Sequence, residues 1–455
     1  MGAAWRGVFM GVLGFVLLVP PVVVEAQPAL EQFRFDPPRL CARDTFRWGV
    51  SYRGLPGGLA AVKEVEMLAL WDGPGEKPTR SLLTPTRDDL QRYAAEQGRF
   101  ESRLTHAGPP RKMPAGGAEV RYTLRLVLAD GQEITSRTSV RVLDSCPPPA
   151  LHATLAAGPT GRIGVQTTTP TVSEFLQGVR PAATSLIWGD LEFPPGQVER
   201  SPAIVLVHGS GGISPREDRW AEEIRQAGAA TFVLDSFTGR AIGSTSEDQS
   251  QLNSLAMIGD AYRALELLAT HPRIDPARIT VMGFSKGGAV ALYSAVMRFQ
   301  RLHGPAGARF ASHIAFYPPC YYSFVDELLV SDRPVRVFQG TADDLAPIDL
   351  CRGYVERLQR AGADVQITAY SGAHHAFDRP GDAPARSYPR EQNASRCFWE
   401  ERPVGQLVNR STGQPFSISD PCVILGGTLG PDPAAYRAAL QAVKALVGTR
   451  TRPSQ

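Results

Sequence analysis

The sequence predicts an α/β fold, a mostly parallel sheet with helices on both faces, preceded by a small Ig-like β-sandwich. Three observations predict it. Short alternating strands separated by turn residues run up to about residue 146, a proline run follows at 147–149, and from residue 202 continuous apolar strands alternate with helical stretches. With 43% hydrophobic and 20% charged residues, the 455-residue chain has material for more than one core. Its 44 glycines and 38 prolines stay below the roughly 25% share at which an aperiodic chain reads as low-complexity. A net charge of +3 excludes a global field that would make nucleic acid or an anionic membrane the main partner.

Residues 1–26 hold one early arginine, Arg6, an apolar stretch over 8–24, and Val24-Glu25-Ala26 at the position of a cleavage site. Pro20 and Pro21 interrupt a run already short of the roughly 20 residues that a spanning helix needs. The segment therefore reads as a cleavable secretory signal, and the mature protein as secreted or periplasmic, without stable membrane insertion. Export makes the six cysteines candidates for pairing. Their positions suggest Cys41 with Cys146, Cys320 with Cys351, and Cys397 with Cys422.

Residues 27–147 are expected to form the β-sandwich domain. Strands are expected near 46–52, 65–71, 120–128 and 134–142, the last two joined by the turn Ala129-Asp130-Gly131-Gln132. A Cys41–Cys146 bridge would close a loop of about 100 residues, which the chain-entropy model values at about 4–5 kcal/mol. Residues 148–185 support only a linker, with a hairpin near 186–193 leading into the α/β domain, 186–450. There the strands fall at 203–207, 230–234, 279–282, 314–317, 335–338 and 365–370. Helices are expected around Trp220 and Ile224, over 252–268, and near Gly287, Leu350 and Pro433.

The strand at 279–282 runs into Gly283-Phe284-Ser285-Lys286-Gly287-Gly288 and then into a helical stretch. A GxSxG between strand and helix is the context of a nucleophile elbow, where glycines permit a turn tight enough to strain and expose the serine. A serine hydroxyl needs a base to take its proton and a carboxylate to orient that base, in the chain order Ser, Asp, His. Strand 335–338 leads to Gly340-Thr341-Ala342-Asp343-Asp344, and strand 365–370 leads to His374-His375. Either acid and either histidine satisfies this requirement.

These segments, with Leu206-Val207-His208-Gly209-Ser210-Gly211-Gly212, resemble the dienelactone hydrolase family of α/β hydrolases over roughly residues 186–446. In that family the acid stands three residues after the glycine and four before a proline, and the histidine precedes a small residue and Phe. The resemblance therefore implies Asp343 and His375 as partners of Ser285, with Asp344 a solvated loop acid and His374 a spacer. The founding enzymes use cysteine at the elbow, so their lactone substrate does not carry over to Ser285. An acyl oxyanion needs two preorganised donors, assigned to the backbone amides of Lys286 and Ser210. The Lys286 side chain is expected at the surface or helix start, and His208 as a brace for its loop. Arg240 is a candidate to face the site. Phe398, Trp399 and Phe416, within the Cys397–Cys422 segment, are candidates to wall the pocket or merely to append to the last helix.

The sequence thus implies an exported serine hydrolase acting on a small-molecule or polymer-borne ester, with activity expected to rise as His375 loses its proton, at about pH 6.5 to 7 by its reference value. No CxxC or Cys/His cluster with zinc spacing occurs, and neither metal nor cofactor is expected. Two other readings use the same sequence: a binding or adhesion protein working through the β domain, and an acyltransferase or peptidase using the same three side chains.

Overall fold

A computed structural model describes residues 27–36, 39–40, 45–55, 61–71, 79–80, 99–105, 117–142, 148–196, 200–381, 384–403 and 405–449. The expected leader, 1–26, and the expected Cys41–Cys146 pair lie outside the described residues.

The N-terminal part contains β1 (Ala29–Asp36), β2 (Arg39–Leu40), β3 (Thr45–Arg53), β4 (Val62–Trp71), β5 (Thr79–Arg80), β6 (Arg99–Thr105), β7 (Ala118–Leu128) and β8 (Glu133–Val142). They form a three-stranded sheet, β1-β3-β6, and a five-stranded sheet, β2-β8-β7-β4-β5. Successive side chains on a strand point to opposite faces, and β7 buries Val120, Tyr122, Leu124 and Leu126 while the residues between them are more open. Phe33, Phe35, Trp48 and Val50 of the smaller sheet join these residues in one core, with the Phe35 and Tyr122 rings 4.8 Å apart. Two sheets sharing a core make the expected sandwich.

The remaining chain forms β9 (Gly161–Thr168), α1 (Val172–Gln177), β10 (Thr184–Glu192), β11 (Ser201–Val207), α2 (Pro215–Gln226), β12 (Ala230–Asp235), α3 (Ser254–Leu268), β13 (Ile274–Phe284), α4 (Lys286–Tyr293), α5 (Met297–His303), β14 (Ser312–Phe316), β15 (Tyr322–Ser323), β16 (Val335–Gly340), α6 (Ile348–Arg360), β17 (Val365–Tyr370) and α7 (Pro433–Thr449). Eight strands build one sheet in the order β17-β16-β14-β13-β11-β12-β10-β9. Only β10 runs against its neighbours, pairing antiparallel with β12 and β9. In place of a hairpin at 186–193 there is thus one strand between two partners. The partner on its outer side, β9, comes from the stretch that supported only a linker.

The central strands are buried on both faces, which explains their continuous apolar runs. On β11, Ala203, Val205 and Val207 enter the core under α3, α4 and α6, whereas Ile204 and Leu206 enter the opposite core under α2 and α7. Trp220 and Ile224 of α2 and Tyr436 and Val443 of α7 cover that second face. Ser214 starts α2 with a capping box to Glu217 and a proline at the first turn, and Asn253 caps α3 through Ala256 N at 2.8 Å. Two disulfides lie among the described residues, Cys320–Cys351 and Cys397–Cys422, as the spacing suggested. No helix among the described residues is long and apolar enough to cross a membrane.

Candidate active site

β13, in the middle of the sheet, ends at Phe284, and α4 begins at Lys286, so a single residue makes the turn. That residue, Ser285, has φ 54° and ψ −114°, a conformation L side chains rarely adopt and one that costs of order 1–3 kcal/mol. The close packing around it supports the strain. A Cβ on Gly283 would lie 1.9 Å from the Gly287 carbonyl oxygen, and one on Gly287 would lie 2.1 Å from that of Val207. Only glycine lets β13, α4 and β11 approach this closely. The Ser285 N–H donates to Phe316 O at 3.0 Å, anchoring the turn to β14.

His375 joins Ser285 to an acid. Its Nε2 is 2.9 Å from Ser285 Oγ, and its Nδ1 is 2.8 Å from Asp343 Oδ2. Asp343 also accepts from Gln339 Nε2 at 3.1 Å, Leu345 N at 3.0 Å and Ala346 N at 2.8 Å. A carboxylate surrounded by donors places the proton on His375 Nδ1 and leaves Nε2 free to accept from the serine hydroxyl. Asp344 instead turns outward, where it accepts from Thr428 N and Oγ1 at 2.8 Å each. It is exposed, but it is tied to the segment before α7 rather than simply solvated. His374 takes no part in the Ser285–His375–Asp343 array.

The loop after β11 lies against the nucleophile, since a Cβ on Gly209 would sit 3.5 Å from Ser285 Cβ. His208 braces it, bonding Gly209 O through Nδ1 at 2.8 Å and accepting from Ser236 N through Nε2 at 3.2 Å. Ser210 is held by Thr245 N on its carbonyl at 2.7 Å and by Gln249 Nε2 on its hydroxyl at 2.9 Å. Ser210 and Lys286 both line the cavity at Ser285. The amides of the first turn of α4, Lys286 among them, have no acceptor within the helix.

The Lys286 side chain departs from expectation. It is buried, with Nζ donating to Thr245 Oγ1 at 3.0 Å and to Leu252 O at 2.5 Å. Burial pulls its pKa down to about 7, with Asp248 partly opposing the fall. A lysine at a helix start reads as exposed in sequence, but here the 245–252 loop folds over it. Through Thr245 the ammonium holds the loop that carries Ser210.

Behind His375 lies a second polar cluster. Asp378 accepts from Tyr317 OH at 2.6 Å and from Trp220 Nε1 at 2.7 Å. Arg216 donates to Tyr317 OH at 3.1 Å and pairs with Glu217 at 2.5 Å. Burial raises the Asp378 carboxyl, while Arg216 and the donors from Tyr317 and Trp220 oppose that rise. The Tyr317 ring meets His375 edge-on at 4.7 Å, so the cluster backs the imidazole. No motif marks these residues in the sequence, because they converge from α2, the end of β14 and the loop beyond His375.

A cavity of about 580 Å³ opens onto Ser285, within the range of sites for drug-sized ligands. Phe416 lines it, and Trp399 packs behind against Phe416 at 4.8 Å and Tyr322 at 5.6 Å. Phe398 lies instead under Arg410. The Cys397–Cys422 segment therefore walls the pocket, held to α5 by the buried bidentate Arg298–Glu401 pair at 2.7 Å. Arg240 does not face this cavity. Its guanidinium pairs with buried Asp260 at 2.8 and 2.9 Å and bonds Thr169, which fastens the β12 loop to α3. The Cys320–Cys351 bridge joins the loop after β14 to α6, just beyond the Asp343 loop. Glu391, which also lines the pocket, had no signal in the sequence. Among the described residues no cluster of three or more His, Cys, Asp or Glu is arranged to hold a metal ion.

A single reversed strand in an eight-stranded parallel sheet, with a strained serine at the tip of a central strand, defines the α/β-hydrolase fold. Residues 190–402 match the model of the dienelactone hydrolase family. Two uncharacterised proteins from strains of Mycobacterium tuberculosis are 28% identical over 187 residues, covering 39% of this chain and 63% of theirs. The chain thus spans less than two thirds of the curated relatives it matches. Esterase 2 of Thermogutta terrifontis phosphoramylated by tabun aligns at 16% identity and TM-score 0.39, over 59% of this chain and 92% of its own. The same esterase with propionate bound aligns at 19% and 0.35, over 42% and 80%.

Proposed function

We propose that the protein is an exported serine hydrolase of carboxylic esters, working through Ser285, His375 and Asp343. The observation that carries this reading is the bridging imidazole, 2.9 Å from Ser285 Oγ and 2.8 Å from Asp343. Ser285 Oγ attacks the ester carbonyl while His375 Nε2 takes its proton, and Asp343 stabilises the imidazolium through Nδ1–H. The Ser210 and Lys286 amides receive the oxyanion, the alcohol leaves with the proton from His375, and water releases the acyl group by the same route. Disulfides among the described residues suit an oxidising compartment and support export.

The test is covalent. A fluorophosphonate probe should modify Ser285 stoichiometrically, with the adduct located by peptide mass spectrometry and absent from Ser285→Ala. An active ester hydrolase that remains unlabelled at Ser285 would overturn the assignment.

A further inference from the structure

We propose, resting on the hydrolase reading above, that the pocket selects esters carrying an uncharged aromatic ring and disfavours those carrying a second carboxylate.

The first half of the inference follows from the wall. Tyr293, Tyr321, Tyr322, Phe324 and Phe416 all line the cavity at Ser285. They form a continuous aromatic array: Tyr322 stacks on Phe324 at 5.8 Å and meets Tyr321 at 5.0 Å, and Tyr293 meets Phe324 edge-on at 5.1 Å. Packing fixes these rings before any ligand arrives, so a planar apolar group gains offset or edge contacts at little ordering cost. Leu255 and Ile258 of α3 extend this apolar wall on one side of a cavity that is otherwise lined largely by polar side chains, and the volume leaves room for a ring and a short chain.

The second half follows from charge. Among the described residues no arginine lines the cavity, and Arg240 is spent on Asp260. The lining cations are Lys286 and, when protonated, His375; the lining acids are Asp248 and Glu391. Asp248 offsets the Lys286 ammonium, which is already bonded to Thr245 and Leu252 O. Burial raises the Glu391 carboxyl and Glu247 adds to the rise, while Ser246, His375 and Arg379 oppose it. A site that strains to hold one carboxylate is a poor host for another. With His375 neutral, as the proposed base must be, the lining carries no net positive charge in any protonation state of Lys286 and Glu391. This contrasts with a site built to clamp an anionic substrate, which needs a guanidinium or ammonium with donors to spare.

The experiment compares kcat/KM for methyl 3-phenylpropanoate, its para-carboxylate, its para-trimethylammonium analogue and methyl butanoate. The neutral aromatic ester should exceed the carboxylate by about tenfold or more, the ratio given by about 1.4 kcal/mol of like-charge repulsion. It should also exceed methyl butanoate, and the cationic analogue should remain within about threefold of it. Glu391→Gln should narrow the neutral-to-carboxylate ratio by about threefold or more. As a measurement on the unaltered protein, benzeneboronic acid should inhibit more tightly than its 4-carboxylate. Equal or faster turnover of the carboxylate ester, or a ratio unmoved by Glu391→Gln, overturns the charge half while leaving Ser285 as nucleophile. Faster turnover of methyl butanoate overturns the aromatic half. Absence of any hydrolysis together with absence of a Ser285 adduct removes the hydrolase reading and this inference with it.

Discussion

The elbow and the pocket wall face the same cavity but are built in opposite ways. The elbow is one continuous stretch, from β13 through Ser285 into α4, and its shape depends on backbone contacts too close for a Cβ. The wall is assembled from segments far apart in the chain: the 245–252 loop, residues after β14, and the disulfide-bridged segment beyond His375. In the proposed reading, chemistry belongs to the backbone-packed elbow and recognition to pieces that side-chain contacts and a disulfide hold in position. Damage to the first should abolish turnover, and damage to the second should change selectivity or its pH dependence.

The largest expected effect is at the proposed nucleophile and its orienting acid. Ser285→Ala should lower kcat by about 10⁴-fold or more, and Asp343→Asn by about 10³–10⁴-fold because the imidazole would adopt the wrong tautomer. Both variants should melt close to the parent, and steady-state ester hydrolysis beside thermal unfolding separates the two readouts. Gly287→Ala attacks the frame of the elbow. With a Cβ 2.1 Å from the Val207 carbonyl oxygen, it should destabilise the fold by about 3 kcal/mol or more, read from the urea midpoint.

The wall offers a smaller target. Replacing both Cys397 and Cys422 by serine opens a loop spanning a sequence separation of 25. The chain-entropy model puts the loss at about 3.5 kcal/mol. KM for aromatic esters should rise more than kcat falls, whereas a parallel collapse of both would tie this segment to the elbow.

The smallest effect joins the two regions. Lys286→Met removes the ammonium that holds Thr245, and kcat should fall by about tenfold with little change in KM, as for an interaction expressed mainly in the transition state. Its pH signature has a definite sign. The folded state depresses the Lys286 pKa to about 7 from the usual 10.5, so between those values the unfolded chain binds the extra proton. Below about pH 7 the cost of the buried charge is fully present. As pH rises from 7 towards 10.5 the parent should gain stability relative to Lys286→Met. Urea unfolding of both proteins at pH 6.5 and 9.5 checks the direction.

Much of the fold was legible because burial leaves its period in the sequence. β7 alternates and reads as half-buried, and β11 is apolar throughout and reads as central, each with the layer it enters implied by the pattern. β9 was illegible since Gly161-Arg162-Ile163-Gly164-Val165-Gln166-Thr167-Thr168 sits at the sheet edge and carries few apolar side chains. The three residues around Ser285 Oγ were legible through short motifs in fixed chain order. Lys286, Glu391 and the Arg216–Tyr317–Asp378 cluster were not. Their significance comes from partners such as Thr245, Ser246 and Trp220 on other segments.

By itself, then, the sequence determined the layers, the elbow and the order of Ser, Asp and His, because these depend on local periodicity, glycine and spacing along one chain. Only the tertiary structure decided that Arg240 braces α3, that Lys286 is buried, and that a cluster of aromatic rings but no arginine lines the pocket. Charge and burial at a site depend on every segment that converges there, and that convergence leaves no periodic trace.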